Sequence, residues 1–217
     1  MKDAIRLYRE RKYEQALAAF LNAHVETAEY PELSYYLGLC YTQLERYDEA
    51  VLYLEQVVTS EIGFAQVYQA RMVLGYIYAV TNRHRLAEFE FNQLLEEGYE
   101  SAKVFAALAY VAYSQKNTSE AVAHLEHALS LDPENSNALN SLGFVLADQG
   151  IHLGRALNYC KRAVAKNPRN PAYLDSLAWC YFRGGRRNDA KEILKRALAL
   201  GPDVPAIREH LRIVTEG

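Results

Sequence analysis

Residues with the capacity for chemistry are few in this sequence, and their spacing does not match that of a catalytic or metal site. His124 and His127 lie at i and i+3 in "HLEH", whereas a metalloprotease zinc site needs histidines at i and i+4 with a glutamate directly after the first. The glycines and arginines of "FRGGRRND", residues 182–189, lie between two helical patterns, although a phosphate-binding loop follows a strand. No Ser/His/Asp or Cys/His arrangement can be assembled, so we expect no catalytic activity, no metal and no cofactor.

Aromatic side chains, among them 17 tyrosines and a single tryptophan, form a more informative pattern. One recurring helical position carries a large apolar or aromatic residue five times: Leu39, Tyr76, Tyr110, Phe144 and Trp179. Because such rings are enriched in binding hot spots, and because asparagine can hydrogen-bond a peptide main chain, we predict a partner-binding groove. With the adjacent helical turns, the predicted binding residues are Tyr35, Leu39, Met72, Tyr76, Tyr110, Tyr113, Asn137, Asn140, Phe144, Asp175, Trp179 and Phe182. The alternative is that these rings belong to the hydrophobic core.

The recurring position belongs to a frame of small, apolar and aromatic residues that is repeated along the chain. The frame is Leu37, Gly38, Tyr41, Ala50 and Leu54 in one copy, Leu74, Gly75, Tyr78, Ala87 and Phe91 in the next, and Leu142, Gly143, Leu146, Ala156 and Cys160 in a later one. A glycine in a helix interior costs about 1 kcal/mol relative to alanine. The small positions therefore predict close crossings of two antiparallel helices, where packing offsets that cost.

The frame resembles the tetratricopeptide repeat (TPR), whose period is about 34 residues. Ala16 and Ala50 are 34 residues apart, and Pro133, Pro168 and Pro202 fall where that family ends its second helix. The resemblance covers essentially the whole chain and is closest to bacterial members of the family. It implies an all-α fold, a right-handed superhelical solenoid of antiparallel helix pairs.

The resemblance implies a single solenoid domain over residues 1–217. Its repeats fall at about 1–30, 31–64, 68–101, 102–135, 136–170 and 171–204, and a capping helix follows at about 204–215. Extra residues enter near Gly63–Val67 and in the turn "DQGIHLGRA". The capping helix places Ile207, Leu211 and Val214 on one side, which suits a terminal cap over the last apolar face.

In the TPR family the first helix of each pair lines the concave face, so the resemblance implies a scaffold or adaptor that binds a peptide or protein segment there. Members that dock the C-termini of heat-shock chaperones share a clamp of Lys, Asn and Arg. The matching positions here are Glu32, Tyr35, Tyr36, Leu39, Gln69 and Val73, with neither a cation nor an asparagine among them. We therefore expect no chaperone docking through a carboxylate clamp.

The net charge of −3 is unevenly distributed. Residues 1–110 hold 10 Lys+Arg and 16 Asp+Glu, whereas residues 111–217 hold 14 and 11. Head-to-tail contact of oppositely charged ends gives a second hypothesis, a structural protein that forms homo-oligomers through its solenoid ends. The basic excess also suggests nucleic acid, but cations such as Lys161, Arg162 and Lys195 fall on outer helices away from the rings, so we expect no nucleic-acid partner.

Cys40, Cys160 and Cys180 have no metal-ligand spacing, and each falls within a helical pattern, so we expect buried, reduced thiols. No apolar run approaches the roughly 20 residues of a membrane span, and the N-terminal stretch lacks the apolar core of a signal peptide. We expect a cytoplasmic protein without membrane insertion, or a periplasmic one if a signal preceded Met1.

Overall fold

The computed structural model describes residues 1–200 and 204–216, and all regular structure within them is helical. The α-helices are α1 (Lys2–Arg9), α2 (Tyr13–Leu21), α3 (Tyr30–Gln43), α4 (Tyr47–Val58), α5 (Phe64–Val80), α6 (His84–Glu96), α7 (Ala102–Ser114), α8 (Thr118–Leu131), α9 (Ser136–Gln149), α10 (Leu153–Lys166), α11 (Pro171–Arg183), α12 (Arg187–Leu198) and α13 (Pro205–Glu216). A short 3₁₀ turn precedes α3. Consecutive helices α1 to α12 form six hairpin pairs, as the repeat predicts. The all-α fold class is confirmed.

The helices divide into two compact units, Met1–Tyr99 and Glu100–Gly217. The first contains α1 to α6, and the second contains α7 to α13. A single continuous solenoid over the whole chain stays a prediction. No helix in the described ranges is long and apolar enough to cross a membrane.

The glycines of the frame mark close helix crossings, as predicted. A Cβ atom at Gly38 of α3 would lie 2.6 Å from Cγ of Leu54 on α4. A Cβ atom at Gly143 of α9 would lie 2.5 Å from Sγ of Cys160 and 2.9 Å from the carbonyl oxygen of Ala156, both on α10. Since real Cβ atoms essentially never approach that closely, only glycine fits at these crossings without displacing its neighbours.

Most pairs turn within three residues whose middle member has a positive φ. These middle residues are Arg11 (60°), Glu45 (58°), Asn82 (59°), Lys116 (67°) and Gly185 (78°). Gly185 therefore occupies the left-handed position that other residue types occupy in the earlier repeats. The turn therefore explains Gly185 of "FRGGRRND".

One repeat boundary differs from the sequence-based expectation. Helix α5 begins at Phe64, so the third repeat starts before residue 68 and its extra residues lengthen the helix. The Phe64 ring stacks on Tyr99 with centroids 4.2 Å apart, which fixes this added turn at the end of the first unit. Pro133 and Pro168 follow the ends of α8 and α10, whereas Pro202 lies outside the described residues.

Helix α13 covers the last pair. Ile207 and Val214 are buried and join a cluster that includes Leu174, Ala190 and Leu194, with Leu211 packed beside them. Its solvent side is polar: Arg212 contacts the carboxylates of Glu209 and Glu216 at 2.6 and 2.7 Å. The predicted terminal cap is confirmed.

The three cysteines are buried and unpaired by disulfides, in agreement with the burial that the sequence predicts. Cys160 and Cys180 have sulfur atoms 3.4 Å apart in the core of the second unit. The hydrogen bond shared with the Cys180 thiol and the burial of the site together raise the pKa of Cys160 well above its usual range. Such a thiol stays protonated and unreactive near neutral pH.

Candidate partner-binding site

The second unit contains an open pocket of about 390 Å³ between α7, α9, α11 and α13, which we call the aromatic pocket. Its lining residues are Ala109, Tyr110, Tyr113, Leu125, Asn140, Ser141, Phe144, Val145, Ala172, Asp175, Ser176, Ala206 and His210. Five of these belong to the set predicted from the sequence: Tyr110, Tyr113, Asn140, Phe144 and Asp175. The sequence pattern therefore brings residues of three consecutive first helices to one concave site, as a repeat of helix pairs requires.

Helix α13 forms one wall of this pocket, a role that the sequence did not reveal. The His210 ring stacks on Trp179 with centroids 4.4 Å apart and an interplanar angle of 21°. Its Nδ1 lies 2.8 and 3.0 Å from the two carboxylate oxygens of Asp175. The terminal helix thus covers two of the residues that the sequence assigned to partner binding.

Asp148, near the end of α9, holds two predicted rings in place. Its carboxylate accepts a hydrogen bond from the Tyr113 hydroxyl at 2.6 Å and another from Nε1 of Trp179 at 3.3 Å. Burial and this hydrogen bond raise the pKa of Tyr113, so the phenol stays protonated. One carboxylate thereby ties α7, α9 and α11 together and fixes the ring orientations.

Asn137, which the sequence assigned to a peptide main chain, is already hydrogen-bonded within the protein. Its Oδ1 accepts from the Tyr173 hydroxyl at 2.5 Å, which joins α9 to α11. Asn140, one turn further along α9, differs: its Oδ1 is buried without a hydrogen-bond partner among the described residues. Of the two asparagines, Asn140 is the one with hydrogen-bonding capacity left.

Burial separates the second-unit predictions into two groups. Tyr110 is 53% exposed, whereas Tyr113, Phe144 and Phe182 are half-buried. Trp179 is only 8% exposed, because His210 stacks on it and its Nε1 faces Asp148. The prediction that Trp179 is an accessible ring of the groove is therefore wrong. Asp175 is also buried, although it lines the aromatic pocket.

The four predicted residues of the first unit differ in their burial. Leu39 and Tyr35 are buried, so the expectation that they face a partner is wrong for both; the Tyr35 hydroxyl donates to Oε1 of Gln69 at 2.7 Å. Met72 is half-buried, and Tyr76 is 51% exposed. In this unit the recurring position thus supplies core residues in one repeat and a solvent-facing ring in the next.

Asp148 and His210 hold predicted site residues in place, and the sequence analysis did not predict either of them. Their spacing in the sequence could have indicated both residues. Polar pairs of this unit bridge successive repeats at about one repeat length, which is 35 residues for Tyr113–Asp148 and 35 for Asp175–His210. A search for polar residues one period apart on the inner positions would have found both.

The two histidines of "HLEH" contact other side chains of the protein. His124 lies 3.6 Å from Glu120 on its own helix, and the His127 ring packs on Phe105. Residues 1–200 and 204–216 contain no group of three or more His, Cys, Asp or Glu that could hold a metal. Arg162 of α10 is held by Glu134 at 2.5 Å, away from the aromatic pocket, as the sequence predicts for the outer-helix cations.

Models of known families match nearly all of the chain. One described as "Tetratricopeptide repeat" matches residues 2–63 and 43–103, one described as "TPR repeat" matches 109–150, and a second "Tetratricopeptide repeat" model matches 152–211.

Curated relatives contain similar segments within longer proteins. The chain is 27% identical over 158 residues to "TPR repeat-containing protein PA4667" of Pseudomonas aeruginosa, which covers 73% of this chain and 26% of that protein. It is 23% identical over 210 residues to human "Protein O-mannosyl-transferase TMTC1", which covers 95% of this chain and 23% of that protein. The chain thus spans about a quarter of the length of these relatives.

Solved structures share the fold at low identity. A TPR protein of Parabacteroides merdae gives a TM-score of 0.78 at 15% identity and covers 98% of this chain and 82% of its own. TTC0263 of Thermus thermophilus gives 0.69 at 19% identity, with coverages of 85% and 98%. YrrB, described as a TPR protein with an unusual peptide-binding site, gives 0.56 at 21% identity, with coverages of 89% and 98%.

Proposed function

We propose that this chain, which belongs to the tetratricopeptide repeat family, is a non-catalytic adaptor that holds an extended segment of a partner protein in the aromatic pocket. A TPR array is in general a protein-interaction scaffold, and the aromatic pocket is the surface that we assign to the interaction. The observation that carries it is Tyr110: this large ring is 53% exposed on the inner side of α7, directly at the pocket. Large, rigid rings with a polar tip are typical binding anchors.

The walls of the pocket support a pre-organised binding site. Tyr113 and Phe144 pack edge to face with centroids 6.1 Å apart, and the Tyr113 hydroxyl is fixed by Asp148. Rings that are held before binding lose little conformational entropy when a partner arrives. The pocket volume of about 390 Å³ lies within the range of about 300–1,000 Å³ that ligand sites usually have.

The alternative, self-assembly through the ends of the array, has weaker support. The outer side of α13 carries Arg212 between two glutamates, and α1 exposes Lys2, Asp3 and Arg6. A stable homo-oligomer usually buries a large and mostly apolar surface, whereas these described residues at the two ends are charged. Light scattering over a concentration series tests the alternative, because growth of the particle with concentration would favour it.

The test of the adaptor proposal is selection of a random 12-residue peptide library on the whole chain, followed by affinity measurements with the selected peptides. Tyr110→Ala should lower their affinity by about 30-fold, the loss of one hot-spot anchor. Tyr30→Ala is a matched control, because Tyr30 is also 53% exposed but lies in the first unit. Peptides that bind wild type and Tyr110→Ala equally would remove the aromatic pocket from the proposal.

A further inference from the structure

One polar atom of the aromatic pocket has no partner, and that atom is a hydrogen-bond acceptor. Asn140 lines the pocket, and its Oδ1 is buried without a hydrogen-bond partner among the described residues. Buried polar atoms are nearly always paired in folded proteins, so an orphan at a pocket wall indicates a ligand. Since an amide oxygen only accepts hydrogen bonds, the ligand group that meets it is a donor.

The charged side chains of the pocket indicate the sign of the ligand's charge. Asp175 is the carboxylate that lines it, and no lysine or arginine of the described residues does. The hydroxyl donors of Tyr113 and Ser176 are already used, for Asp148 and for the carbonyl oxygen of Ala172. A ligand with a negative charge would therefore lie beside a carboxylate, without a lysine or arginine to pair with.

The contact between Asp175 and His210 does not require a charged histidine. Nδ1 of the ring lies 2.8 and 3.0 Å from the two carboxylate oxygens. An ionised carboxylate only accepts hydrogen bonds, so Nδ1 carries the hydrogen, as it does in one neutral tautomer and in the imidazolium alike. The contact is complete with a neutral imidazole, and Asp175 then contributes a negative charge to the pocket.

The most exposed ring of the pocket has no cation of the chain over its face. Elsewhere in this protein arginines cover tyrosine rings: Arg46 lies 4.8 Å from the ring centre of Tyr41, and Arg186 lies 4.4 Å from that of Tyr181. Tyr110 is 53% exposed and has no such cation among the described residues. Because the face of an aromatic ring attracts a cation within about 6 Å of its centre, this ring can receive one from a partner.

We propose, building on the adaptor function above, that the aromatic pocket binds a lysine or arginine side chain of the partner segment. The cationic group donates a hydrogen bond to Oδ1 of Asn140 and lies against the rings of Tyr110 and Phe144, and the nearby charge of Asp175 stabilises it. The apolar stem of the side chain packs along the rings, as long basic side chains do on apolar surfaces.

The test uses the peptides selected from the random library, resynthesised with blocked ends so that their basic groups are side chains. We expect the selected sequences to share one lysine or arginine. Norleucine keeps the lysine stem without its charge, and citrulline keeps the shape of arginine without its charge. Either replacement should lower the affinity by at least about 10-fold, the loss of a hydrogen bond to a charged group.

Asn140→Asp is a variant whose expected effect is a gain, which unfolding cannot produce. A carboxylate at this wall should raise the affinity for the parent peptides by about 5-fold, as for an added ion pair, and should not raise it for the uncharged versions. Asn158→Asp is the matched control, because it changes the net charge equally but lies exposed on α10 and does not line the pocket.

The outcomes separate this inference from the adaptor proposal. Selected peptides without a shared basic residue, or an affinity that the uncharged replacements leave unchanged, would overturn the inference. So would the absence of a gain in Asn140→Asp, or a gain that Asn158→Asp shares. If those peptides still required Tyr110, the adaptor proposal would stand by itself. If no selected peptide required Tyr110, both would fall.

Discussion

Substitution of Gly143 by alanine tests the packing on which the second unit depends. The added methyl group would lie 2.5 Å from Sγ of Cys160, 2.9 Å from the carbonyl oxygen of Ala156 and 3.2 Å from the backbone nitrogen of Cys160. Two of these three atoms belong to the α10 backbone, so a rotamer change cannot relieve the overlap. Helices α9 and α10 have to move apart.

The size of the effect follows from that separation. Carbon atoms pack best at about 3.5–4.0 Å, so the α10 backbone must retreat by at least about 0.5 Å, and a gap of that size loses about a quarter of the dispersion energy along the contact. Overpacking of a core costs about 1–3 kcal/mol, and here we expect the upper end because Ala156 and Cys160 are fully buried. Replacement of a helical glycine by alanine returns about 1 kcal/mol. The net expectation is a loss of about 2 kcal/mol in unfolding free energy.

Denaturant unfolding followed by the fluorescence of Trp179, the single tryptophan, measures this loss where it arises. The indole hydrogen-bonds Asp148 of α9, so its emission reports the integrity of the crossing helices. Gly154→Ala is the matched control: Gly154 is also helical on α10, but an added Cβ meets nothing within 4 Å, so alanine should stabilise by up to about 1 kcal/mol. If both variants were stabilised alike, the close crossing at Gly143 would be refuted.

Two further predictions concern aromatic residues. Trp179→Ala should cost about 3–5 kcal/mol of unfolding free energy, whereas Tyr110→Ala should change it by less than about 1 kcal/mol, because only the first ring is buried; equal losses in denaturant titrations would contradict this assignment. Burial raises the pKa of both Tyr8 and Tyr35 to about 12, and an unfolded tyrosine ionises near 10, so their contribution to stability is complete below pH 10 and is lost as the pH rises towards 12. Unfolding free energies at pH 8, 10 and 11 check it, and a constant value would indicate solvated rings.

The fold was predictable because its signal is repeated along the chain. Gly38, Gly75 and Gly143 lie where two helices cross closely, and a larger residue would not fit there. The same small position therefore recurs in successive copies of the frame. The start of α5 was not predictable from the frame, because its extra residues have no counterpart in other copies. Phe64 makes its stacking contact with Tyr99, a residue distant in sequence and outside the frame.

The candidate site was predictable only in part, because inner-face position alone does not determine exposure. Tyr110 and Trp179 occupy equivalent positions in the frame, yet one is half exposed and the other is buried. The difference arises from neighbours that the frame does not specify, chiefly His210 on the terminal helix and Asp148 at the end of α9. The sequence identifies α13 as a cap from its apolar side, and the same helix also forms a wall of the pocket through His210.

Side chains on the inner face also join successive repeats through hydrogen bonds. Within the second unit, Tyr113 reaches Asp148, Asn137 reaches Tyr173 and Asp175 reaches His210, each across 35 or 36 residues. These contacts fix the angle between neighbouring pairs, so the same side chains cannot also bond a partner without weakening the array.

Only the inner-face side chains that are not used in contacts between repeats are therefore available to bind a partner. In this unit the available side chains are Tyr110, Phe144 and Asn140. The first two are rings with accessible surface, and the amide oxygen of the third has no hydrogen-bond partner among the described residues. In repeats whose polar inner residues pair at one-period spacing, an exposed ring next to an unpaired amide is thus a better indicator of a binding site than the aromatic pattern alone.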